Sequence, residues 1–499
     1  MANYIIGFSQ ILNPFSMLLI AIGTFLGIFF GAAPGMTSSM GIALALPVTY
    51  SMGIVDGMAL LLGIYIGSIS GGLITAILLN IPGTPASVAT TFDGHPMALR
   101  GEGGRAVRIG TLYSFIGGML SLLALFFISP LLAKVALKFS YEEYFAIGVL
   151  SLFLISGLSG KSLVKGIVSA LIGVAFATVG MAPVDSVRRF TFGIAALDGG
   201  FKLLPLMIGV YAVAEVLKCA ASPDMKNMQI ASYKSKGFGV NVKEFNEQIP
   251  NMTVSALIGI GIGILPGLGA AISNLIAYSA SKKLSKHPEL YGTGCIDGVI
   301  ASETANNAVS GGALIPLLTM GIPGDAGTAM LLAAFMLHGI TPGPLLFDKY
   351  SDTIYAVFAI LIISNIMMIL MQMYGLPVFL KMLKVKKNIL LPVVMVLASI
   401  GAFATNNRIF DVWAILVFAI VGYLLSKNNF PAPPIVLGFV LGPIIEQNYR
   451  RGMMSSYGSF LNFFTRPVAG TVLVLTILLF LYKIISAAVK RSKARKTAA

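Results

Sequence analysis

Charge is scarce in this chain. Of 499 residues only 11% are charged and 57% are hydrophobic, where soluble domains carry nearer a quarter charged. No region of 100 residues is polar enough to form a separate soluble domain. Cysteine is nearly absent: Cys219 and Cys295 stand alone in or near apolar segments, too few for a zinc site or a disulfide framework. The three histidines, His95, His287 and His338, are scattered with no ligand spacing among them,. No Lys or Arg precedes Arg100, so the N-terminus lacks the basic flank of a secretory signal peptide. The net charge of +15 would suggest a nucleic-acid partner if it were clustered. It lies instead in short loops and in the tail KRSKARKTAA, as cytoplasmic loops of a membrane protein do, so no nucleic-acid partner is expected.

What the chain has in abundance is apolar runs long enough to cross a bilayer, such as 109–131, 353–375 and 467–489,. The short alternating segments of a β-barrel do not occur. The expected fold class is an all-α polytopic membrane protein in contact with lipid.

Within these runs two stretches break helix rules in the same way. GAAPGMTSS starts at Gly31 and GILPGLGAA at Gly263. Aligning those two positions brings Gly27, Pro34 and Gly35 onto Gly259, Pro266 and Gly267, and Gly23 onto Ser255. Small residues thus recur every fourth position in both, along one helix face that a neighbouring backbone can approach closely. A second pair follows: SGGLITAILLNIPGT (70–84) resembles SGGALIPLLTMGIPGD (310–325). Internal repeats of this kind typify transporters. GIGIGILPGLG also contains a glycine-rich dinucleotide look-alike, but a βαβ unit is implausible inside an apolar segment.

Basic residues indicate how the halves face. The loop 50–56 has no Lys or Arg, whereas its counterpart 281–288 has Lys282, Lys283 and Lys286. The loop 92–108 carries Arg100, Arg105 and Arg108, whereas its counterpart 338–352 has only Lys349. The asymmetry flips, as inverted repeats require. Arms of about 15 residues on either side of each first break, about 22 Å of helix, fall short of a core about 30 Å thick. The expectation is therefore two inverted repeats, each with a re-entrant hairpin (15–50 and 251–281) and a Pro-Gly-broken span (57–91 and 296–337). Further spans are expected at 109–131, 143–159, 163–181, 201–221, 353–375, 389–404, 409–425, 431–446 and 467–489, about 11 in all with a cytoplasmic C-terminal tail. Residues 1–222 form the first half, 223–250 a cytoplasmic linker, and 251–499 the second half with an extra C-terminal span.

Irregular backbone at membrane depth is tolerated where it lines a cavity or is buried in protein. A half-helix starting after Pro-Gly directs free N–H groups and a positive dipole end into that cavity, where anions bind. The expected substrate-binding residues are Pro34, Gly35, Thr37, Ser38, Asn80, Pro82, Gly83, Thr84, Pro266, Gly267, Asn306, Asn307, Pro323 and Gly324. The alternative is that these Pro-Gly pairs are kinks or packing points. In SETANNAVSGG, Glu303, Asn306, Asn307 and Ser310 share one helix face,. A carboxylate at mid-bilayer costs on the order of 2.5–3.5 kcal/mol, so Glu303 is a candidate for coupling Na+ or H+; the plainer alternative is an interhelical hydrogen-bonding group. Asp325, directly after Pro323-Gly324, is the second coupling candidate or, alternatively, a helix cap. No catalytic residue, no firm metal site and no bound cofactor is expected beyond Na+ or H+ as coupling ion, and no nucleotide P-loop occurs.

These same segments carry a family resemblance. GAAPGMTSSMGIALALP, YIGSISGGLITAILLNIPGTPASVATTFDGHPMALRGEGGRA, RFTFG (189–193), ASETANNAVSGGALIPLLTMGIPG (301–324) and HGITPGPLLF (338–347) resemble the large membrane subunit of tripartite tricarboxylate transporters, in ordered blocks from about residue 15 to 350. The resemblance implies a bacterial inner-membrane secondary transporter, with a small membrane subunit, a periplasmic substrate-binding protein and a small-molecule carboxylate substrate such as citrate, driven by a cation gradient. Self-association into a homo-oligomer stays open. Two positions depart from the family pattern: Asp325 stands where a small hydroxyl residue is usual, and Ala182 where an Asp is usual. An acid beside an anion site repels a trianion, which argues for a less charged or even a non-carboxylate substrate. The reading is an elevator-like or rocking carrier and not an enzyme. A channel would lack saturable, gradient-dependent uptake. An intramembrane hydrolase would need a nucleophile elbow or HExxH, and neither is present.

Overall fold

The structure is a computed structural model describing residues 2–33, 35–158, 162–221, 237–383, 392, 395–400, 402–403 and 407–498. Pro34, residues 223–236 of the expected linker and much of the span expected at 389–404 lie outside the described residues. What is described is almost entirely helical. The one sheet among the described residues pairs Gly180–Met181 with Arg188–Arg189 in antiparallel register. Among the described residues five helices are long and apolar enough to cross a membrane: Pro14–Ala32, Ile54–Leu79, Pro85–Ala136, Ser351–Met382 and Ile409–Lys427. The protein is a multi-pass, all-α membrane protein.

The described chain packs as two compact units: residues 1–137 with 202–428, and 138–201 with 429–499. Each draws on both halves of the sequence.

In the first unit two helices are central. Ile54–Leu79 is buried from Gly57 to Leu78, and Ile296–Met320 from Gly298 to Thr319. Their neighbours are the small-residue helices. A Cβ placed on Gly23, Gly27 or Gly31 would strike the carbonyl oxygens of Leu60, Ile64 and Ser68; one on Gly67 or Gly71 would strike those of Thr24 and Ile28. The stripe expected from spacing thus meets a reciprocal stripe, backbone against backbone. In the second half Gly259 meets the Ala305 carbonyl, and Gly263 meets Gly312 and the Val309 carbonyl.

The breaks follow matching local rules. Pro14–Ala32 ends, Gly35 turns at φ +89°, and Thr37 caps Ser38–Ala45 by accepting the Met40 N–H at 3.2 Å. Val242–Ile264 ends, Gly267 turns at φ +80°, and Gly269–Leu284 follows. Ile54–Leu79 is terminated by Asn80 in the left-handed region, and Ile296–Met320 by Gly321. Glycine enters that region without steric cost, and Asn is among the few other residues to do so readily.

Three details differ from expectation. The helices before the first breaks are not equal arms of about 15 residues: they run 19 and 23 residues, followed by arms of 8 and 16. The expected linker 223–250 is already helical from Val242, because Asn241 and Glu244 form a reciprocal capping box,. The expected loop 92–108 is a helical corner: Val88–Met97 passes through Ala98–Glu102 into Gly103–Ala136, with Gly101 turning at φ +85°.

The second unit contains the helices Tyr141–Leu158, Leu163–Ala177, Ala432–Ser455 and Pro467–Ala498. Gly173 lies on the Ile435 carbonyl and Gly438 on that of Ala170. Ion pairs gather at one end: Arg466 with Glu142 and Glu143, Arg189 with Glu446, and Arg450 with Asp185 and Glu446. The Arg450 guanidinium holds the Asp185 carboxyl below its usual range. Ala182 is buried in the turn of this unit's strand pair.

Candidate functional site

The residues singled out in the sequence fall into two groups within the first unit. The first surrounds Glu303, which is fully buried. Thr90 Oγ1 donates to Glu303 Oε1, and Ser114 Oγ donates to Oε2 at 2.9 Å. Asn307 Nδ2 donates to Ser114 Oγ at 2.8 Å, and Thr90 Oγ1 also lies 3.2 Å from Ser302 Oγ. Asn306 Nδ2 donates to the Ile69 carbonyl at 3.1 Å, while its buried Oδ1 has no partner. Four helices contribute to this cluster: Ile296–Met320, Val88–Met97, Gly103–Ala136 and, through the Ile69 carbonyl, Ile54–Leu79. No cation side chain appears among these contacts. A buried carboxylate held by the Thr90 and Ser114 hydroxyls, with an orphaned amide oxygen near it on the same helix, is an acceptor-rich site,. Chemically it can take up a proton or a small hard cation.

The second group is the set of breaks. Gly83 is so close to the Gly31 carbonyl that no Cβ would fit, and Gly324 is likewise enclosed by Ala313 and the Gly263 carbonyl. Each second break therefore leans on the glycine stripe of its own half. Gly267 donates its N–H to the Gly324 carbonyl at 2.7 Å, joining the two breaks of the second half. Pro266 and Pro323 are buried, Pro82 is half-buried, and Gly35 and Asn80 are exposed. Asn80 acts through its backbone as the terminator of Ile54–Leu79, and its N–H goes to the Thr75 carbonyl.

Some of the N–H groups expected to be free are engaged within the protein. Thr84 N–H donates to Ser87 Oγ at 3.4 Å, and Asp325 N–H to Thr328 Oγ1 at 2.9 Å. Asp325 is a helix cap: its Oδ1 accepts from the Thr328 N–H at 2.7 Å and hydroxyl at 2.8 Å. Its Oδ2 accepts from the Tyr65 hydroxyl at 3.2 Å. The expected Thr37 is a cap too, and its Oγ1 pairs with Ser39 at 2.9 Å.

The halves exchange contacts at these points. Gly327, one residue into the helix capped by Asp325, faces Tyr65 and the Ser38 hydroxyl. Asn274, on the helix after the second hairpin break, donates to the Ala86 carbonyl beside Thr84. Sequence reasoning missed Tyr65 and Ser114. Ser114 carried no signal, being one serine on an apolar helix; Tyr65 stood in YIGSISGG, where a phenol amid small residues was the available cue. Among the described residues no group of three or more His, Cys, Asp or Glu side chains could hold a metal ion.

Residues 17–437 match the family described as the tripartite tricarboxylate transporter TctA family. Two relatives come from Agrobacterium vitis. An uncharacterized 52.8 kDa protein of the TAR-I ttuC' 3' region is 36% identical over 472 residues, covering 95% of this chain and 94% of the relative. An uncharacterized protein of the TAR-II ttuC' 3' region is 39% identical over 212 residues, covering 42% of this chain and 88% of the relative.

Proposed function

Since the chain belongs to the tripartite tricarboxylate transporter TctA family, we propose that it is the large membrane subunit of a carrier that imports a small carboxylate on a Na+ or H+ gradient. This is a transporter family, not an enzyme family. A periplasmic binding protein delivers the substrate and a small membrane subunit completes the complex. The carrier resides in a bacterial inner membrane with its C-terminal tail in the cytoplasm.

One observation carries the reading: the first-hairpin helix of one half lies against the broken helix of the other, in both directions, through Ser38 and Gly327 and through Asn274 and Ala86. Two inverted repeats would produce such an exchange around a shared site. The substrate carboxylate rests at the N-terminal ends of Ser38–Ala45 and Ala326–Leu337, on first-turn N–H groups other than the capped Met40 and Thr328, beside the Ser38 hydroxyl. Asp325 sits at that point as an acceptor. It disfavours a trianion and favours a substrate with fewer charges and a hydroxyl to donate. Glu303 takes the coupling ion.

The test is uptake into proteoliposomes of the full complex, offered succinate, malate and citrate under an imposed Na+ or pH gradient. Saturable accumulation of one of them, dependent on the gradient and on the binding protein, is expected. Downhill flux that ignores both would point to a channel. Asp325→Ser keeps a capping oxygen, so the protein should stay in the membrane and the ratio of citrate to malate uptake should rise. An unchanged ratio removes Asp325 from the substrate's surroundings.

The contacts of the basic residues support the inverted topology. Arg105 reaches Glu244 at 2.7 Å and the Gly239 carbonyl at 3.0 Å, and Arg100 reaches the Gly294 carbonyl. These segments, assigned to the cytoplasmic side, meet each other. Single cysteines at Leu99, Ser285 and Lys349 in a cysteine-free background check this. An impermeant thiol reagent added outside should label only position 349; labelling at 285 would reverse the assignment.

A further inference from the structure

We infer that Asp93 is a positioning residue for transport: its buried carboxylate fixes the helix that carries Thr90 against the start of the helix that carries Glu303. The proposal rests on the reading of Glu303 as the coupling residue. Asp93 is fully buried. Its Oδ1 accepts the backbone N–H groups of Gly292, Gly294 and Cys295 at 2.9, 2.8 and 2.8 Å, and its Oδ2 accepts the Tyr278 hydroxyl at 2.8 Å. All four donors belong to the second half of the sequence.

The receiving loop is shaped for this. Gly292 and Gly294 have φ of +91° and +104°, conformations that favour glycine and turn successive N–H groups towards one anion. A Cβ on Gly298, in the first turn of Ile296–Met320, would collide with the Asp93 carboxylate. Thr90 lies one turn before Asp93 on Val88–Met97, and so on the same face. That helix is therefore held to Ile296–Met320 at two places. One is Asp93 with Cys295 and Gly298, and the other is Thr90 with Ser302 and Glu303. Releasing the first allows the second to shift, and the hydroxyl that holds Glu303 shifts with it.

The other half shows what a plain packing contact at this point looks like. IVDG at 54–57 has the same pattern as CIDG at 295–298. There Gly57 faces the His338 ring, whose Nε2 lies 3.3 Å from Thr49 Oγ1. Among the described residues no carboxylate gathers backbone donors at that position. A charged acceptor with four donors makes bonds about twice as strong as neutral ones, and here it acts at the start of the helix that carries Glu303.

Asp93→Asn preserves size and leaves an acceptor for the three N–H groups, but removes the charge and turns a donor towards Tyr278. Two readouts apply, both in the full complex with Cys219→Ser. The first is the rate at which native Cys295, half-buried and held through its N–H, reacts with a permeant maleimide. The second is concentrative uptake against counterflow of whichever of succinate, malate and citrate the unmodified protein accumulates. Expected for Asp93→Asn is labelling about tenfold faster and net uptake about tenfold lower, each the equivalent of about 1.4 kcal/mol, with the counterflow KM changed less than twofold. Tyr278→Phe removes one donor of four and should give the same pattern at smaller amplitude, which guards against a variant that fails to assemble. Faster labelling with normal net uptake would make Asp93 a fold element only and overturn the proposal, as would unchanged labelling. Glu303→Gln should leave Cys295 labelling at the unmodified rate. Normal coupled uptake in Glu303→Gln therefore defeats the coupling reading, separately from the Asp93 labelling result.

Discussion

Glu303→Gln is expected to abolish concentrative uptake while leaving the protein in the membrane and part of its exchange activity intact. The fold should survive because Gln matches Glu in shape and still accepts one hydroxyl bond, from Thr90 or Ser114. The other hydroxyl must rotate to accept from the new amide, a change that costs about 1 kcal/mol. What cannot survive is the charge. Without it the site neither binds a cation electrostatically nor takes up a proton, so the gradient has no handle on the cycle. Counterflow needs no net ion movement and is the control. The measurement is uptake as a function of Na+ and, separately, of pH, on both proteins. If cation dependence is unchanged, Glu303 is an interhelical hydrogen-bonding group, and the Asp325 cap becomes the place to look for the ion.

Gly267→Leu and Gly35→Leu are expected to eliminate transport almost completely. Both glycines sit at φ +80° and +89°, where a residue with a Cβ costs about 1–2 kcal/mol. At Gly267 the cost is compounded, because its N–H supplies the bond to the Gly324 carbonyl that joins the two breaks of the second half. A strained backbone there relaxes by pulling that bond apart, and Gly324 has no slack against Ala313 and Gly263. The total is small against the burial that holds Ile54–Leu79 and Ile296–Met320 in place, so membrane abundance should fall little while uptake vanishes. Gly267→Ala carries the same backbone penalty with a smaller side chain and should retain partial activity. Normal uptake in both leucine variants would reduce the breaks to packing features.

Much of this architecture is legible in the sequence because it is local. The period of four in Gly23, Gly27 and Gly31 announces a helix face that another backbone touches. The Pro-Gly pairs announce where helices end, and SETANNAVS announces a polar face on a helix. Each signal lies within a few turns, where helix geometry alone relates residue to residue. Hydropathy likewise indicates membrane spans without reference to any contact, since solvation by lipid is a property of each segment. The capping box at Asn241 and Glu244 was equally local, although the expected linker ran past it.

The partners of those residues came from packing alone. Nothing near Glu303 in the sequence names Thr90 or Ser114. Nothing near Asp325 names Tyr65, and nothing near Asp93 names Gly292 or Tyr278. These pairs are separated by more than a hundred residues. Such contacts depend on which helices the glycine stripes bring together, and at what depth. The division into two units has the same origin: residues 138–201 join 429–499 across the chain, although no break in composition marks either boundary. Helix periodicity and lipid solvation act on neighbours along the chain, so the sequence determined the elements and where they break. Close packing acts between surfaces, so only the tertiary structure decided which acid meets which hydroxyl.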